Sequence, residues 1–309
     1  MSATDMSATA TLSEKKQIKR SLATGHNRDR TPASLVFVGA LWFSLFFGVM
    51  VLIVLIVDTV ITGAPRFDSA LVMRYDSTLF PGRTGFRAGI LGTLWLMVAT
   101  AMLAVPLGIA AALHLEEFAD RSKWYNRLIE INLQNLAAVP SVVYGLLAVG
   151  VMALLSFKQK GIVLGGAIAL ALLVLPVIII TTREAVRAVP REIRLGSLAL
   201  GATLWQTTWK QTLPAAIPGI ATGTILGLSR AIGEAAPLLM LGIPLAVRFD
   251  PTGPLSAITA LPMQIFFMTS QSQDAYKQAA AAAIVLLLVL VLGLNAAAIV
   301  IRNRFTKEW

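Results

Sequence analysis

Leu213-Pro-Ala-Ala-Ile-Pro-Gly-Ile-Ala-Thr-Gly-Thr-Ile-Leu-Gly-Leu-Ser-Arg-Ala-Ile-Gly-Glu-Ala-Ala-Pro-Leu-Leu-Met-Leu-Gly242 decides the fold. Gly219, Gly223 and Gly227 recur every fourth residue, and on a helix that spacing makes one smooth stripe, continued by Ala231 and Ala235. Small residues at this interval let two membrane helices pack backbone to backbone. Arg230 and Glu234 stand four apart beside the stripe and can meet as an ion pair. With Pro218 in the first turn of the helix, Arg230 comes about 18 Å further along it. In a hydrocarbon core of about 30 Å that is well inside the bilayer. An ionised arginine there costs about 2.5–3.5 kcal/mol on insertion scales, so it is expected to face protein or water.

Composition agrees with that setting. The chain has 309 residues, of which 56% are hydrophobic and 14% charged, with mean hydropathy +0.75. It is too apolar for a soluble domain and reads as an all-α polytopic membrane protein. The net charge of +10 lies in tails and short loops, which is topological bias and not a nucleic-acid face. With no cysteine, thiolate metal sites and disulfides are excluded, and His26 and His114 are too few for a histidine cluster. No phosphate-cradling Gly-x-x-x-x-Gly-Lys-[Ser/Thr] loop occurs, so any ATPase that drives this chain is another polypeptide.

Six apolar runs are long enough to cross: Leu35–Val57, Ala88–Leu113, Ile131–Phe157, Gly161–Thr182, Leu213–Val247 and Gln278–Ile301. Pro251–Gln273 is also uncharged, but three prolines make it a re-entrant or interfacial element. Six crossings leave 17 Lys and Arg on the side of both termini and eight on the other, which predicts cytoplasmic termini in a plasma (inner) membrane. The organisation expected is a disordered basic tail over residues 1–34, a first transmembrane helix over 35–61 and an extracytoplasmic loop over 62–88. A core over 89–301 follows, with a cytoplasmic loop at 183–212, and then a C-tail over 302–309. Within that loop the pattern predicts one short helix from Arg183 to Val189 and a second from Arg191, ending at a glycine cap, Gly201. Glu116-Glu117 reads as a solvated helix terminus, and Trp42, Trp95, Trp124 and Trp309 as interfacial anchors or packing. In the third run, Pro140 is expected to kink the helix, with Asn135, Ser141 and Tyr144 as candidates to point polar groups at a pathway.

Several of these strings carry a family resemblance. Gly201 followed a dozen residues later by Leu213-Pro214 resembles the coupling loop of importer permeases of the ATP-binding-cassette superfamily. Leu115-Glu-Glu-Phe-Ala, Asn135-Leu-Ala-Ala-Val-Pro-Ser-Val-Val-Tyr-Gly145, Leu198-Ala-Leu-Gly201 and Arg230-Ala-Ile-Gly-Glu-Ala-Ala-Pro-Leu-Leu239 look like the A-type permeases of high-affinity phosphate importers, the PstA family. The likeness runs from about Gly89 to Ile301. It departs from the superfamily where Leu195-Gly196-Ser197 stands in place of Glu-Ala-Ala and where Gln211 replaces an isoleucine.

The resemblance implies a type I importer permease core made of spans two to six, with the first helix an addition. It implies a heterodimer with a homologous C-type permease, an ATPase homodimer that binds ATP and Mg, and an extracytoplasmic phosphate-binding protein. No cofactor and no covalent catalysis are expected in this chain, only conformational work on inorganic phosphate. On this reading Arg230, Glu234, Ser141, Tyr144 and Asn135 line the translocation path. Leu195, Gly196, Ser197, Leu198, Ala199 and Gly201 meet the ATPase, and Gly219, Gly223 and Gly227 pack helices. A guanidinium suits phosphate because its paired donors match two oxyanion oxygens. The alternatives are a permease for molybdate or sulfate and a membrane subunit that senses phosphate status. An intramembrane lipid-modifying enzyme fits less well, because the paired acidic metal motif is missing.

Overall fold

The computed structural model describes residues 32–77, 80–120 and 122–305. The tail expected over 1–34 falls almost wholly outside these residues, as do Arg121, Lys307 and Trp309. Among the described residues there is no β-strand, and the chain parts into two compact units between Asp58 and Thr59. Five helices are long and apolar enough to cross a membrane, or six when one bent pair counts as a single span.

The first helix, α1, runs Pro32–Gly63, and every side chain from Leu35 to Val57 stands exposed. A helix apolar on all sides needs lipid or another protein around it. After it come a 3₁₀ turn (Ala64–Arg66) and a short α2 (Ser69–Met73) capped by Asp68, whose Oδ1 accepts from the Leu71 amide at 2.9 Å. Helix α3 (Arg87–Leu113) follows and ends in a π-turn over His114–Phe118.

The third apolar run is not one straight span. Helix α4 (Trp124–Ala137) and α5 (Ser141–Leu154) meet at a bend of 114°. Pro140 is the N-cap of α5, so it ends one helix and starts another; the kink expected there is a full break. Tyr144 on α5 donates to the Leu136 carbonyl at 2.5 Å, which also accepts from the Val139 amide at 3.0 Å, so the phenol ties α5 back across the bend to the end of α4.

Helix α6 (Val163–Arg187) is the central post. It is apolar nearly all round and mostly buried, with α3 and α9 packed against it. The separate short helix expected over Arg183–Val189 is the last turn of α6, because nothing before Val189 interrupts its hydrogen bonds; Pro190 then starts the next element. That element is α7 (Arg191–Ala199), followed by α8 (Leu204–Thr207) and a π-turn over Thr208–Thr212. Thr203 and Gln206 cap α8 reciprocally, Thr203 Oγ1 accepting from Gln206 N at 3.2 Å and Gln206 Oε1 from Thr203 N at 2.9 Å. Continuous helix therefore begins well before Pro218, which lies inside α9 (Leu213–Ile232) and not in its first turn.

Helix α9 stops at Ile232. A short α10 (Ala236–Met240) and an irregular segment lead to α11 (Leu261–Thr269), where Leu261, Met263, Gln264 and Met268 are buried. The uncharged Pro251–Gln273 stretch is thus a loop plus a short inserted helix, too short to span. Helix α12 (Asp274–Phe305) completes the fold. Arg302 and Arg304, placed by the sequence in a C-tail, continue this helix.

At the end of α3 opposite the π-turn, Arg87 Nη2 meets Asp250 Oδ2 at 2.6 Å, and Tyr75 donates to Asp250 Oδ1 at 3.1 Å. The Arg87 hydrogen bond, above all, holds the Asp250 carboxyl below its ordinary range. Its contribution to stability is present at neutral pH and is lost only as pH falls through that lowered value. Asp76 behaves oppositely. It is 3% exposed and lacks a well-formed hydrogen bond among the described residues; the nearby Ser77 amide and Thr84 hydroxyl help its charged form only weakly, Thr84 Oγ1 donating to the Ser77 carbonyl at 2.7 Å. Burial raises its carboxyl, with the nearby Arg248 charge opposing. A raised value favours the protonated form, so ionisation of Asp76 weakens the fold as pH rises through it. Asp76→Asn is expected to raise the thermal unfolding midpoint at pH 7, with the gain vanishing below about pH 4.

Candidate functional site

The glycine stripe of α9 faces α6. A Cβ on Gly219 would meet Ala185 Cβ at 2.6 Å, one on Gly223 would run into Thr181, and one on Gly227 would touch Ile178 Cγ1 at 3.5 Å. On its other flank α9 meets α12 through two polar rungs. Ser229 bonds Asn295, and Arg302 Nη1 donates to Thr222 Oγ1 at 2.9 Å. Both rungs are seven residues apart on each helix, as two antiparallel helices require. Between these flanks α9 leaves one face open along Leu226, Arg230 and Gly233, bordered by Gly219 on the α6 side and Thr222 on the α12 side.

Arg230 stands on that open face with its side chain 51% exposed, and Nε lies 3.5 Å from Glu234 Oε1. The pair is longer than an ordinary hydrogen bond, so it holds the guanidinium loosely. Its setting differs from a continuous helix. Arg230 occupies the last turn of α9, where the exposed carbonyl ends favour a cation, and Glu234 lies past the helix end in the turn before α10. The pair therefore marks a helix break, a geometry in which polar backbone and charged side chains converge inside a membrane protein.

Helix α5 closes on this break from the side. A Cβ on Gly145 would come within 2.6 Å of the Pro237 carbonyl oxygen and 2.8 Å of Met240 Cβ. Tyr144 is near enough for the Arg230 charge to act on it, but it is 3% exposed and its hydroxyl braces the α4–α5 bend. In this chain it stands behind the site and braces the bend at Pro140. Ser141 sits in the first turn of α5 and Asn135 is exposed on α4 before the bend; among the described residues neither forms a hydrogen bond or ion pair with Arg230 or Glu234.

The second candidate region is α7. Ala202 N donates to Ser197 O at 3.2 Å and Gly201 N to Leu198 O at 3.0 Å, the paired bonds of a Schellman cap, and Gly201 has φ +84°. Leu195, Leu198 and Leu200 are exposed at 64%, 41% and 92%, an apolar patch on a helix that buries none of its own residues. Gly196 and Ala199 lie in the same helix, and Ser197 bonds Thr207 Oγ1 at 2.9 Å.

Sequence reasoning missed the cluster beneath this patch. The side chains of Glu116 and Glu117 are 6% and 7% exposed and paired, not solvated. Arg187 Nε meets Glu116 Oε1 at 2.9 Å and Arg183 Nη2 meets Glu130 Oε1 at 2.7 Å. Arg194 Nη2 reaches Glu117 Oε1 at 2.9 Å and the Val186 carbonyl at 2.6 Å. Three acids and three arginines thus tie α3, α4, α6 and α7 together. Among the described residues no group of His, Cys, Asp and Glu could hold a metal ion.

Residues 104–307 match the family described as the inner membrane component of binding-protein-dependent transport systems. The phosphate transport system permease PstA of Yersinia pestis is 30% identical over 96% of this chain and 97% of its own length. The probable ABC transporter permease YqgH of Bacillus subtilis is 32% identical over 75% of the chain and 77% of its own. PstA 1 of Mycobacterium tuberculosis H37Rv is 38% identical over 51% of this chain and 50% of itself. Among solved structures, a bacterial alginate ABC transporter in complex with its periplasmic protein aligns over 95% of this chain and 98% of its own, with TM-score 0.59 and 19% identity. The inward-facing MetNI methionine transporter aligns over 71% and 97%, with TM-score 0.55 and 18% identity. These two share the fold.

Proposed function

The chain belongs to the inner-membrane permease family of binding-protein-dependent transport systems, in its PstA-like branch, and on that premise we propose that it forms half of the translocation path of an ATP-driven inorganic phosphate importer. The observation that carries this reading is the open face of α9. Arginine on a lipid-facing surface is penalised, whereas here the exposed strip that carries Arg230 is available to a homologous C-type permease and to a water-filled path between the two. Arg230 receives the oxyanion with paired donors, and Glu234 holds the guanidinium when phosphate is absent or accepts a hydrogen bond from the protonated ion. Hydrolysis in a partner ATPase rocks the helices, opening the path alternately to each side. An extracytoplasmic binding protein delivers phosphate, and both termini lie in the cytoplasm.

The apolar patch of α7 is the ATPase-docking surface in this reading. Gly201→Val places a β-branched residue at a left-handed position, at a cost of about 1–2 kcal/mol to the cap. The expected result is a chain that reaches the membrane at normal yield but co-purifies with several-fold less ATPase, measured by pull-down from detergent extracts.

Extraction of the native assembly in mild detergent tests the proposal. An ATPase and a second, homologous permease are expected to come out with this chain. A chain that emerges intact and alone, under conditions that preserve related complexes, contradicts it.

A further inference from the structure

Helix α7 buries none of its own residues, so apolar packing does not fix it to the body of the protein. Its covalent ties are two short connectors, Ala188–Pro190 toward α6 and Leu200–Thr203 toward α8. What grips the helix between them is polar. Arg194 Nη2 bonds both Glu117 Oε1 at 2.9 Å and the Val186 carbonyl at 2.6 Å, and Ser197 meets Thr207. Of these, the Arg194–Glu117 pair reaches farthest along the chain, joining the helix to the end of α3, 77 residues earlier. The Glu117 side chain is 7% exposed and that of Arg194 21%, so water screens this contact far less than a surface ion pair. Glu116, next to it and 6% exposed, is held by Arg187 and Arg183 from α6, and Arg183 also takes Glu130 of α4. Breaking such a buried pair on one side leaves an uncompensated charge, which makes the arrangement stiff.

We propose that Arg194 and Glu117 are positioning residues through which a displacement of α7 is delivered to α3. Resting on the reading of α7 as the ATPase-docking element, the inference names a route that chain connectivity does not provide. The connectors alone would pass motion to α6 on one side and, through α8 and the π-turn, to α9 on the other. The ion pair adds α3, and the Arg183–Glu130 pair adds α4, which leads through the bend at Pro140 to α5 and the wall behind Arg230. With the pair intact, α7, α3 and α6 move together. Without it, α7 can shift relative to the end of α3, which is then held only through the α6 arginines on Glu116, and hydrolysis is no longer fully matched by transport.

The experiment uses the full importer in proteoliposomes, with phosphate uptake and ATP hydrolysis read on the same preparation. Glu117→Gln and Arg194→Gln are each expected to keep ATPase co-purification and to hold hydrolysis within about twofold, while uptake falls about tenfold, the scale of a typical coupling energy. Arg194→Lys, which keeps a cation within reach of Glu117, is expected to restore most of the uptake per ATP. Should the Gln variants not accumulate, Glu117→Asp, which keeps the charge but shortens its reach, serves in their place with the same expected fall in uptake per ATP. An unchanged ratio of uptake to hydrolysis overturns the inference, as does loss of the ATPase from the complex, which would make these residues docking contacts only. If the wild-type complex carries another oxyanion in place of phosphate, the ratio is read with that ion, so the substrate assignment and the coupling route fail separately.

Discussion

Arg230→Gln is expected to abolish phosphate uptake in a complex that still assembles. The guanidinium stands on the open face of α9 and is held to Glu234 only at 3.5 Å, so its removal disturbs little packing. What it removes is two charge-assisted donors to the oxyanion, together worth about 3 kcal/mol or more, a loss of at least about a hundredfold in uptake. Arg230→Lys keeps the charge without the planar fork and is expected to fall between the two. Uptake of radiolabelled phosphate, with co-purification of the ATPase as the assembly control, separates these outcomes. Normal uptake by Arg230→Gln in an assembled complex would leave the pair a structural tie and nothing more.

Gly145→Val is expected to act on the fold. Its Cβ would lie 2.6 Å from the Pro237 carbonyl oxygen and 2.8 Å from Pro237 Cα, and backbone atoms cannot turn aside as a side-chain end can. Overpacking of this kind costs about 3 kcal/mol at the upper end of its usual range. Because α10 carries the chain away from Glu234, forcing α5 and α10 apart also displaces the Arg230–Glu234 break. The expected result is a sharp drop in the amount of folded chain recovered from membranes, read by size-exclusion chromatography in detergent. The remaining fraction should be poor in transport. A control at Gly150, whose added Cβ meets nothing within 4 Å, should behave as wild type.

Much of this architecture is legible in local sequence because local rules set it. The glycine interval at 219, 223 and 227 is a face, and that face meets α6. Gly201 closes a helix because a left-handed residue is needed there, and the chain supplies the residue that adopts it most readily. Pro140 announces a disturbance, but its size, a 114° turn, depends on how α5 packs against α10, which no local pattern encodes. The boundary at Ile232 was hidden for a similar reason. Ala235, Ala236 and Leu238 continue the apolar run past Glu234, so the periodicity reads through a break that tertiary packing imposes.

Glu116 and Glu117 were the least legible. Two acids at the end of an apolar run look like a solvated terminus, since their partners Arg183, Arg187 and Arg194 lie 67 to 77 residues away. The one available signal was charge balance, with Arg183 and Arg187 four apart at the end of α6 and Arg194 in the helix that follows it. Tyr144 shows the converse. As a polar group close to the Pro140 kink it is a candidate pathway residue in the sequence, and in the structure its hydroxyl bonds a carbonyl eight residues back and braces the bend. The Thr203–Gln206 capping box that starts α8 went unread, although its Thr-x-x-Gln pattern is local.

The proposed role of Arg230 is to present paired donors to phosphate in a path shared by two permeases. Its most direct measurement is ATP-dependent uptake of radiolabelled phosphate by proteoliposomes containing this chain with its ATPase and second permease, in competition with sulfate and molybdate. Phosphate is expected to accumulate against its gradient and to be displaced by unlabelled phosphate but not by an excess of either other anion. Accumulation of sulfate or molybdate with no phosphate uptake would contradict the assignment.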